Sequence, residues 1–312
     1  MNENNKIATR QSYGEALAEL GKENKNVVVL DADLSSATKT GVFAKEYPKR
    51  FFNMGIAEQD MISTAAGLAT CGKIPYASTF AVFAAGRAYD QIRNSVCYPN
   101  LNVKICATHS GITVGEDGAT HQMIEDIAMM RTLPNMTVLS PCDDRQTRWM
   151  VKQIANEKGP VYMRLCRMAS PEIYEESQKF EIGKAICIGK GSDATVFATG
   201  ITVAEAIKAQ QELAKEKIQI RVVDIHTIKP LDKEMIITCA KETKTLISIE
   251  DHSVIGGLGS AIAEVLTQQY PAHLIRLGIP DCFGKSGTAE ELMKYFKITK
   301  EAIIRAVKEK LK

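Results

Sequence analysis

The sequence has no marked excess of charge of either sign. Among its 312 residues, 39 are Lys or Arg and 37 are Asp or Glu, so the formal net charge is +2. Proteins that bind nucleic acids or membrane surfaces generally carry a basic excess, and we therefore expect neither partner. The basic clusters at residues 45–50 and 305–312 are explained as solvated helix faces.

Long apolar runs are absent as well. No segment approaches the roughly 20 apolar residues of a membrane-spanning helix, and the polar start MNENNKIATR is unlike a signal peptide. Hydrophobic residues still make up 45% of the chain, which is enough for a substantial core. We expect a cytoplasmic globular protein of about two domains.

None of the eight cysteines belongs to a Cys-x-x-Cys pair. They are scattered, and several stand in apolar, strand-like segments such as residues 103–107. A disulfide framework or a zinc site requires a more regular spacing. The pattern therefore predicts reduced, buried thiols and no metal centre.

The glycine-rich stretch GGLGS, residues 256–260, is incomplete as a phosphate-binding loop. It does not complete Gly-x-Gly-x-x-Gly, and no Lys-Ser or Lys-Thr follows it. Close packing of a helix start on a strand is the favoured interpretation. His226, His252 and His273 have no acidic or histidine partner at a telling spacing and are expected to be structural.

Strand-like and helix-like segments alternate along the chain, which predicts an α/β fold. Strands are predicted at residues 27–30, 103–107, 136–139, 194–198, 220–224, 245–249 and 273–277. Helices are predicted at residues 57–70, 80–97, 121–132, 143–156 and 202–217, and after Thr299. A break near residues 168–180 divides the chain into domains 1–170 and 180–312. We expect each domain to be a mostly parallel sheet flanked by helices.

The stretch FFNMGIAEQDM, residues 51–61, places the acidic Glu58 directly after Met-Gly-Ile-Ala. A carboxylate in the first turn of a helix is often solvated and interacts favourably with the helix dipole. A carboxyl group in a dry pocket would instead have a raised pKa and could carry a proton. From these residues alone both interpretations stand, and the solvated one is the more common.

The densest polar cluster is ATHSGITVGEDGATHQMIED, residues 107–126. It follows a predicted strand, so its side chains lie at the carboxyl edge of a sheet, where open α/β sheets bind ligands. The cluster contains His109, His121, Glu116 and Asp117, and its glycines permit a tight exposed turn. A surface loop whose acids cap the next helix is the alternative interpretation. The spacing matches no common pattern of metal ligands.

These two stretches together resemble the pyrimidine-binding domain of transketolase. YASTFAVFAAGRAYDQIRNS lies between them, as it does in that family. RVVDIHTIKPLD and IEDHSVIGGLGSAIAEVL resemble the C-terminal domain of the same family. The likeness extends over nearly the whole chain. It implies a thiamine diphosphate-dependent enzyme that transfers a two-carbon ketol unit from a ketose phosphate to an aldose phosphate.

The resemblance assigns four residues to cofactor binding: Glu58, Phe80, Phe83 and Asp33. Glu58 matches the glutamate that hydrogen-bonds the aminopyrimidine ring and so helps the thiazolium carbon to lose its proton, a role that suits an apolar setting. Phe80 matches the aromatic residue stacked on the pyrimidine and Phe83 lies close by, although both would also fit a helix core. Asp33 matches an acid near the thiazolium ring.

The resemblance likewise assigns the substrate contacts. His121 matches a histidine near the ketose carbonyl and first hydroxyl group, and Asp117 matches the acid that binds the hydroxyl group next to the acceptor aldehyde. His109 and Arg164 match groups that hold the sugar phosphate, for which a guanidinium fork is well suited. Glu58, His121 and His109 are the residues expected to act in catalysis.

The chain departs from the family pattern in two places. Where the family often has a serine that contacts the phosphate, this chain has Ser36 and Ala37, which leaves open whether the anion is a phosphate. The Gly-Asp-Gly motif, through which the family binds the diphosphate and Mg²⁺ on an N-terminal domain, is missing. The resemblance therefore implies the C-terminal subunit of a split transketolase. Its N-terminal partner subunit would carry that motif and the metal ion, in a heterotetramer of two chains of each kind.

The sequence leaves three other functions open. A 1-deoxyxylulose 5-phosphate synthase shares these domains, but it is usually one long chain with Ala in the position of Glu116. The β subunit of a 2-oxo acid decarboxylase is also split from its partner, but it is not expected to combine His109 with the Gly-Glu-Asp-Gly loop. A non-catalytic scaffold would have no use for Glu58 or Asp117.

Overall fold

The computed structural model describes residues 1–311. Its strands are β1 (Asn2–Ala8), β2 (Val27–Asp31), β3 (Phe51–Asn53), β4 (Ile74–Phe80), β5 (Lys104–Thr108), β6 (Thr137–Leu139), β7 (Val161–Arg164), β8 (Ala169–Glu172), β9 (Ile186–Ile188), β10 (Ala194–Ala198), β11 (Ile220–Asp224), β12 (Thr227–Lys229), β13 (Thr245–Ser253) and β14 (Leu274–Ile279). None of the helices in this range is long and apolar enough to cross a membrane.

The helices are α1 (Thr9–Glu23), α2 (Ser35–Thr38), α3 (Gly41–Glu46), α4 (Glu58–Thr70), α5 (Tyr89–Gln91), α6 (Asp126–Thr132), α7 (Asp144–Ile154), α8 (Thr202–Lys215), α9 (Lys233–Glu242), α10 (Leu258–Gln269), α11 (Ala289–Tyr295) and α12 (Lys300–Leu311). Two π-helical turns, Val82–Arg87 and Ile92–Cys97, flank α5. Short 3₁₀ turns occur at Pro48–Arg50 and Ile112–Val114.

The first sheet has seven strands in the order β12-β6-β7-β5-β4-β2-β3. Its strands pair in parallel except at the edge, where β12 is antiparallel to β6. All five residues of β2 are buried, because helices cover both faces of the sheet. Val27 and Val29 belong to the cluster that includes α1 and α7, whereas Val28 and Leu30 pack with α4. This alternation follows from the two-residue period of a strand.

The second sheet has the order β14-β13-β10-β11-β9. Its strands pair in parallel except β9, which is antiparallel to β11. A separate antiparallel pair joins β1 to β8. The prediction of an α/β fold with two mostly parallel sheets flanked by helices is confirmed.

The two halves of the chain share a hydrophobic core. Phe197 of β10 and Val223 of β11 belong to the same buried cluster as Met61 of α4. Strand β12 follows β11 in the chain, yet it closes the edge of the first sheet. The two halves therefore share both a core and a sheet edge. The domain bounds 1–170 and 180–312 stay a prediction.

Two predicted elements differ from the structure next to the polar cluster. Residues 74–80 form β4, which was not predicted, so the helix expected from residue 80 begins only after Phe80. The helix expected at residues 121–132 begins at Asp126, because the preceding residues belong to a loop that contacts the second half of the chain.

The cysteines differ in exposure. All eight are free thiols, and five are buried. Cys71, Cys187 and Cys282 are exposed, so the prediction of buried thiols is wrong for these three.

Candidate active site

Four of the predicted site residues lie at the carboxyl edge of the first sheet. Asp33 lies just after β2, Phe80 is the last residue of β4, and His109 follows β5. Glu58 begins α4, shortly after β3. Because β3, β2, β4 and β5 are adjacent and parallel, this edge brings the four residues to one side of the sheet.

Glu58 is buried although it stands in the first turn of a helix. Its side chain is 1% exposed, and its Oε2 lies 2.7 Å from Nη1 of Arg87. The Arg87 side chain is 46% exposed, and its guanidinium group lies 4.6 Å from the centre of the Phe83 ring. The burial excludes the solvated interpretation of Glu58. In the chain by itself, this carboxylate is held in an ion pair with an arginine that reaches solvent.

Phe80, Phe83, His109 and His121 form a continuous aromatic surface. The rings of Phe80 and His109 are stacked with their centres 3.8 Å apart. The Phe83 ring lies 6.0 Å from that of Phe80 and 5.6 Å from that of His121. Phe80 is buried and Phe83 is half-buried. An aromatic surface near a buried carboxylate is suited to a flat heteroaromatic ring that makes hydrogen bonds at its edge.

His109 is a neutral histidine in a strained backbone conformation. Its φ is 57°, a value that residues other than glycine rarely adopt. Burial lowers the pKa of His109 to about 3, and the charges of Arg10 and Arg167 add to this effect. Nη1 of Arg10 lies 3.1 Å from Nε2 of His109 and can only donate. The proton of the imidazole therefore resides on Nδ1, which donates to Oγ1 of Thr108 at 2.9 Å.

Arg10 and Arg167 supply positive charge to the site, and neither was predicted. Nη1 of Arg10 donates to the Ala37 carbonyl at 3.0 Å, and Nη1 of Arg167 donates to the Val114 carbonyl at 2.6 Å. Both arginines line a cleft of about 270 Å³ between the two halves of the chain. The other lining residues are Thr113, Val114, Glu116, Met168, Thr288, Ala289 and Glu290. Guanidinium groups are suited to an anionic ligand, although Glu116 and Glu290 line the same cleft and offset part of the positive charge.

Arg164, which was predicted to hold the sugar phosphate, is buried and paired within the protein. Its side chain is 2% exposed, and its Nε lies 2.9 Å from Oδ2 of Asp126, which also accepts from the Tyr162 hydroxyl group. Its Nη2 donates to the Asp251 carbonyl at 2.7 Å. The guanidinium group is thus committed to a buried network that links the two halves. Arg167, three positions later in VYMRLCR, is the arginine at the cleft.

The predicted substrate residues Asp117 and His121 lie on an open loop. The Asp117 side chain is 41% exposed, and its Oδ2 lies 3.4 Å from Nη1 of Arg167. His121 is half-buried. Gly115 and Gly118 have φ values of 85° and 76°, so the turn between them requires glycine. The loop therefore places an acid beside an arginine and does not cap the next helix.

Asp33 is exposed, and the neighbouring Asp31 shapes the turn that presents it. Asp31 is buried and accepts hydrogen bonds from the hydroxyl groups of Thr38 and Thr40, at 2.7 and 2.8 Å. Asp33 has a φ of 61°, and its Oδ1 accepts from Nδ2 of Asn53 at 2.9 Å. Asp33 therefore lies at the solvent side of the same sheet edge as Glu58.

The GGLGS stretch has no room for a phosphate. The Glu250 carboxylate accepts hydrogen bonds from the backbone N–H groups of Leu258 and Gly259, at 2.6 and 2.9 Å, and so caps the start of α10. A Cβ atom at Gly257 would overlap this carboxylate. The structure thus agrees with close packing. Among residues 1–311, no group of three or more His, Cys, Asp or Glu side chains is placed to hold a metal ion.

Comparisons with known proteins agree with these features. The chain matches the family models for the transketolase pyrimidine-binding domain over residues 5–172 and for the transketolase C-terminal domain over residues 183–303. It is 52% identical to a transketolase C-terminal section of Methanocaldococcus jannaschii, over 97% of this chain and 96% of that protein. It is 43% identical to the 6-deoxy-6-sulfo-D-fructose transketolase subunit SqwH of Clostridium sp., over 96% and 93% of the two chains. Against the transketolase of Rattus norvegicus, identity is 41% over 97% of this chain and 49% of that protein.

Solved structures show the same fold. A split-gene transketolase, an inactive beta4 tetramer, superimposes with a TM-score of 0.91 at 52% identity, over 97% of this chain and 98% of that one. A transketolase of Campylobacter jejuni gives a TM-score of 0.81 at 23% identity, over 97% of this chain and 47% of that one.

Proposed function

This chain belongs to the transketolase family, and on that premise we propose that it is the C-terminal subunit of a split, thiamine diphosphate-dependent transketolase. The reaction is the transfer of a two-carbon ketol unit from a ketose phosphate to an aldose phosphate. One observation carries the proposal: the buried Glu58 and the aromatic surface at Phe80 and His109 lie at the same sheet edge, and Arg10, which contacts His109, lines a cleft with Arg167.

The residues around Glu58 fit the aminopyrimidine end of thiamine diphosphate. When bound, that cofactor supplies the nucleophilic carbon that carries the two-carbon unit. Glu58 would hydrogen-bond the pyrimidine ring and exchange a proton with it, while Phe80 and Phe83 offer the ring an apolar face and exclude water. When the cofactor binds, Arg87 has to release Glu58 or keep only one of its carboxylate oxygens, because an ion-paired oxygen has no proton to donate to the pyrimidine ring.

The cleft lined by Arg10 and Arg167 fits a sugar phosphate. Arg10 and Arg167 would hold the anionic group through charge-assisted hydrogen bonds. His109, whose pKa of about 3 keeps it neutral, would contribute a hydrogen bond and no charge. Asp117 would bind the hydroxyl group next to the acceptor aldehyde, and His121 would lie near the ketose carbonyl.

The proposed complex has a second subunit for the diphosphate and the metal ion. We propose an N-terminal transketolase subunit with a Gly-Asp-Gly site that holds Mg²⁺ or another divalent ion, in a cytoplasmic heterotetramer of two chains of each kind. The apolar side chains of Phe52 and Ile56 are 40% and 79% exposed close to Glu58, and they offer such a partner a surface. The related beta4 structure is described as inactive, which supports the need for another chain.

The bound anion is proposed to be a phosphate, which would place the enzyme in carbohydrate metabolism of the pentose phosphate type. A sulfonate is the second candidate. Ala37 offers a backbone carbonyl to Arg10, and the place where the family often has a phosphate-binding serine falls near Ser36 and Ala37. Because a relative of this chain is a 6-deoxy-6-sulfo-D-fructose transketolase subunit, sulfo-ketoses should be tested as substrates beside ketose phosphates.

Reconstitution tests the split assignment. The chain, an N-terminal partner from the same genome, thiamine diphosphate and Mg²⁺ are combined and assayed for transfer between sugar phosphates. We expect turnover by the complex and none by either chain alone. Turnover by this chain alone would contradict the assignment.

Replacement of the carboxyl group tests the role of Glu58. Glu58→Gln should keep the fold, because the amide is nearly isosteric, but lower turnover of the complex roughly 10²–10⁴-fold, since an amide does not carry the proton. The matched control is Glu234→Gln at an 86% exposed side chain, which should leave turnover unchanged. Turnover close to wild type for Glu58→Gln would contradict the assigned role.

A further inference from the structure

The substrate loop, defined here as residues 109–122, is anchored by the second half of the chain. Asp251 lies in β13 of the second sheet and is 1% exposed. Its Oδ1 accepts a hydrogen bond from the backbone N–H of Ile112, and its Oδ2 accepts one from the Thr113 hydroxyl group, both at 2.9 Å. One carboxylate of the second half therefore holds two consecutive residues of the loop that carries His109 and Asp117.

The backbone of the substrate loop is shaped to meet this carboxylate. Gly111 has a φ of 73°, and a Cβ atom added there would overlap the Asp251 carboxylate. Only glycine combines this conformation with so close an approach. Ile112 is fully buried, so its N–H group would have no access to water if the carboxylate were removed.

A second contact holds the other end of the substrate loop. Nε2 of Gln122 donates to the Gly115 carbonyl at 3.0 Å and to the Lys285 carbonyl at 2.8 Å. Lys285 precedes α11 in the second half of the chain. A Cβ atom at Gly118 would overlap Oγ of Ser286, so the turn that presents Asp117 also packs against this segment.

Asp251 is itself held in place. Arg164 donates from Nη2 to the Asp251 backbone carbonyl, and its Nε is ion-paired with Asp126 in the first half. The buried guanidinium group thus fixes the strand residue whose side chain holds the loop. Arg164 also favours the ionised form of Asp251, although burial acts more strongly and raises its pKa.

We propose that Asp251 is a positioning residue for substrate binding: it acts through Ile112 and Thr113 to set the substrate loop so that Asp117 and His121 face the substrate. This inference rests on the proposed function. Asp251 does not touch the reacting atoms in this scheme. Its effect is geometric, and small displacements of a positioning group can cost large factors in rate.

The kinetic test compares Asp251→Ala with Asp224→Ala in the reconstituted complex. Asp224 is an equally buried carboxylate whose partners, the Tyr174 hydroxyl group at 2.7 Å and Gln146 Nε2 at 2.8 Å, lie outside the substrate loop. Asp251→Ala should raise KM for donor and acceptor roughly tenfold or more, as expected for the loss of buried hydrogen bonds. Asp224→Ala should lower thermal stability without a change in KM. Equal KM values for the two variants would overturn the proposal.

Thr113→Val keeps the test decisive if the alanine variants fold poorly. It removes one of the two hydrogen bonds and preserves the side-chain volume, so KM should rise by less than in Asp251→Ala. In the Asp251→Ala background, Thr113→Val should have no further effect on KM, because both changes remove the same hydrogen bond. Additive effects would overturn the proposal.

Hydrogen exchange separates this inference from the proposed function. In the isolated chain, Asp251→Ala should speed amide exchange of residues 110–118 about tenfold relative to Asp224→Ala, since the anchor of the loop is lost. Unchanged exchange would overturn the anchor. An inactive wild-type complex would overturn the proposed function instead, and the exchange result would still decide whether Asp251 holds the loop.

Discussion

The two arginines of VYMRLCR, Arg164 and Arg167, have different environments although they are only three positions apart. Arg164 is the last residue of β7 and forms a buried ion pair with Asp126, whereas Arg167 lines the cleft. The sequence contains both at close spacing, and nothing local distinguishes them. Their roles depend on Asp126 and Asp251, which lie far away along the chain. His109 could be placed at the carboxyl edge of a sheet because the strand before it was inferred from local pattern, whereas β3, the strand before Glu58, was not predicted.

Alanine substitutions should separate the roles of the two arginines. Arg167→Ala should raise KM for phosphorylated acceptors roughly tenfold or more with kcat little changed, because it removes charge-assisted ground-state binding. Arg164→Ala should instead cost about 3–5 kcal/mol of unfolding free energy, since it leaves Asp126 buried without its partner. Acceptor kinetics and urea unfolding measure the two effects. If Arg164→Ala folds and selectively loses activity towards phosphorylated acceptors while Arg167 is intact, the proposed division of roles between the two arginines is contradicted.

Lys104 predicts a pH dependence of stability. It is fully buried, its Nζ donates to the Glu157 and Gly159 carbonyls, and burial lowers its pKa to about 7. The unfolded chain keeps the ordinary pKa of 10.5, so between about pH 7 and 10.5 it binds more protons than the folded chain. Stability contributed by Lys104 should therefore rise with pH across this window.

Urea unfolding at pH 7 and pH 9 measures this contribution. The rise should be about 2 kcal/mol smaller in Lys104→Met than in wild type. Lys22→Met, on an exposed part of α1, is the control and should keep the wild-type rise. An equal rise in all three proteins would show that Lys104 titrates normally.

At the scale of elements, predictability followed the strength of the local pattern. The uniformly apolar β2 and the periodic α8 were predicted close to their observed bounds. Strand β4, IPYASTF, was missed because its polar residues are buried only through tertiary contacts, such as the hydrogen bond between Ser78 and Tyr13. The start of α6 was placed too early because Gln122 binds a carbonyl of the second half instead of continuing the helix.

The start of α10 should be intolerant of a side chain at Gly257. Gly257→Ala overlaps the Glu250 carboxylate and should cost about 1–3 kcal/mol. Gly67→Ala is the matched change in α4, where no atom lies within 4 Å of the added Cβ, and it should gain about 0.5–1 kcal/mol from helix propensity. Thermal unfolding of both variants measures the contrast. Equal shifts in both would contradict the packing argument.

For the whole molecule, the shared core predicts a single unfolding transition. Phe197 packs in the same cluster as Met61, and β12 belongs to the first sheet, so neither half keeps its core when the other unfolds. Phe197→Ala should cost about 3–5 kcal/mol and lower the midpoint of this one transition. Differential scanning calorimetry provides the measurement. Two separate peaks, with only one shifted by the substitution, would show that the halves unfold independently.

The position of β12 also has a consequence during synthesis. The edge of the first sheet at β6 is closed by residues 227–229, which leave the ribosome long after β7 at residues 161–164. At a synthesis rate of roughly 5–20 residues per second, the outer edge of β6 keeps unpaired backbone N–H and C=O groups for several seconds. An open strand edge pairs readily with other chains. The nascent protein is therefore prone to aggregation during this interval. A chaperone that covers the edge would favour folding, and slower synthesis would prolong the exposure.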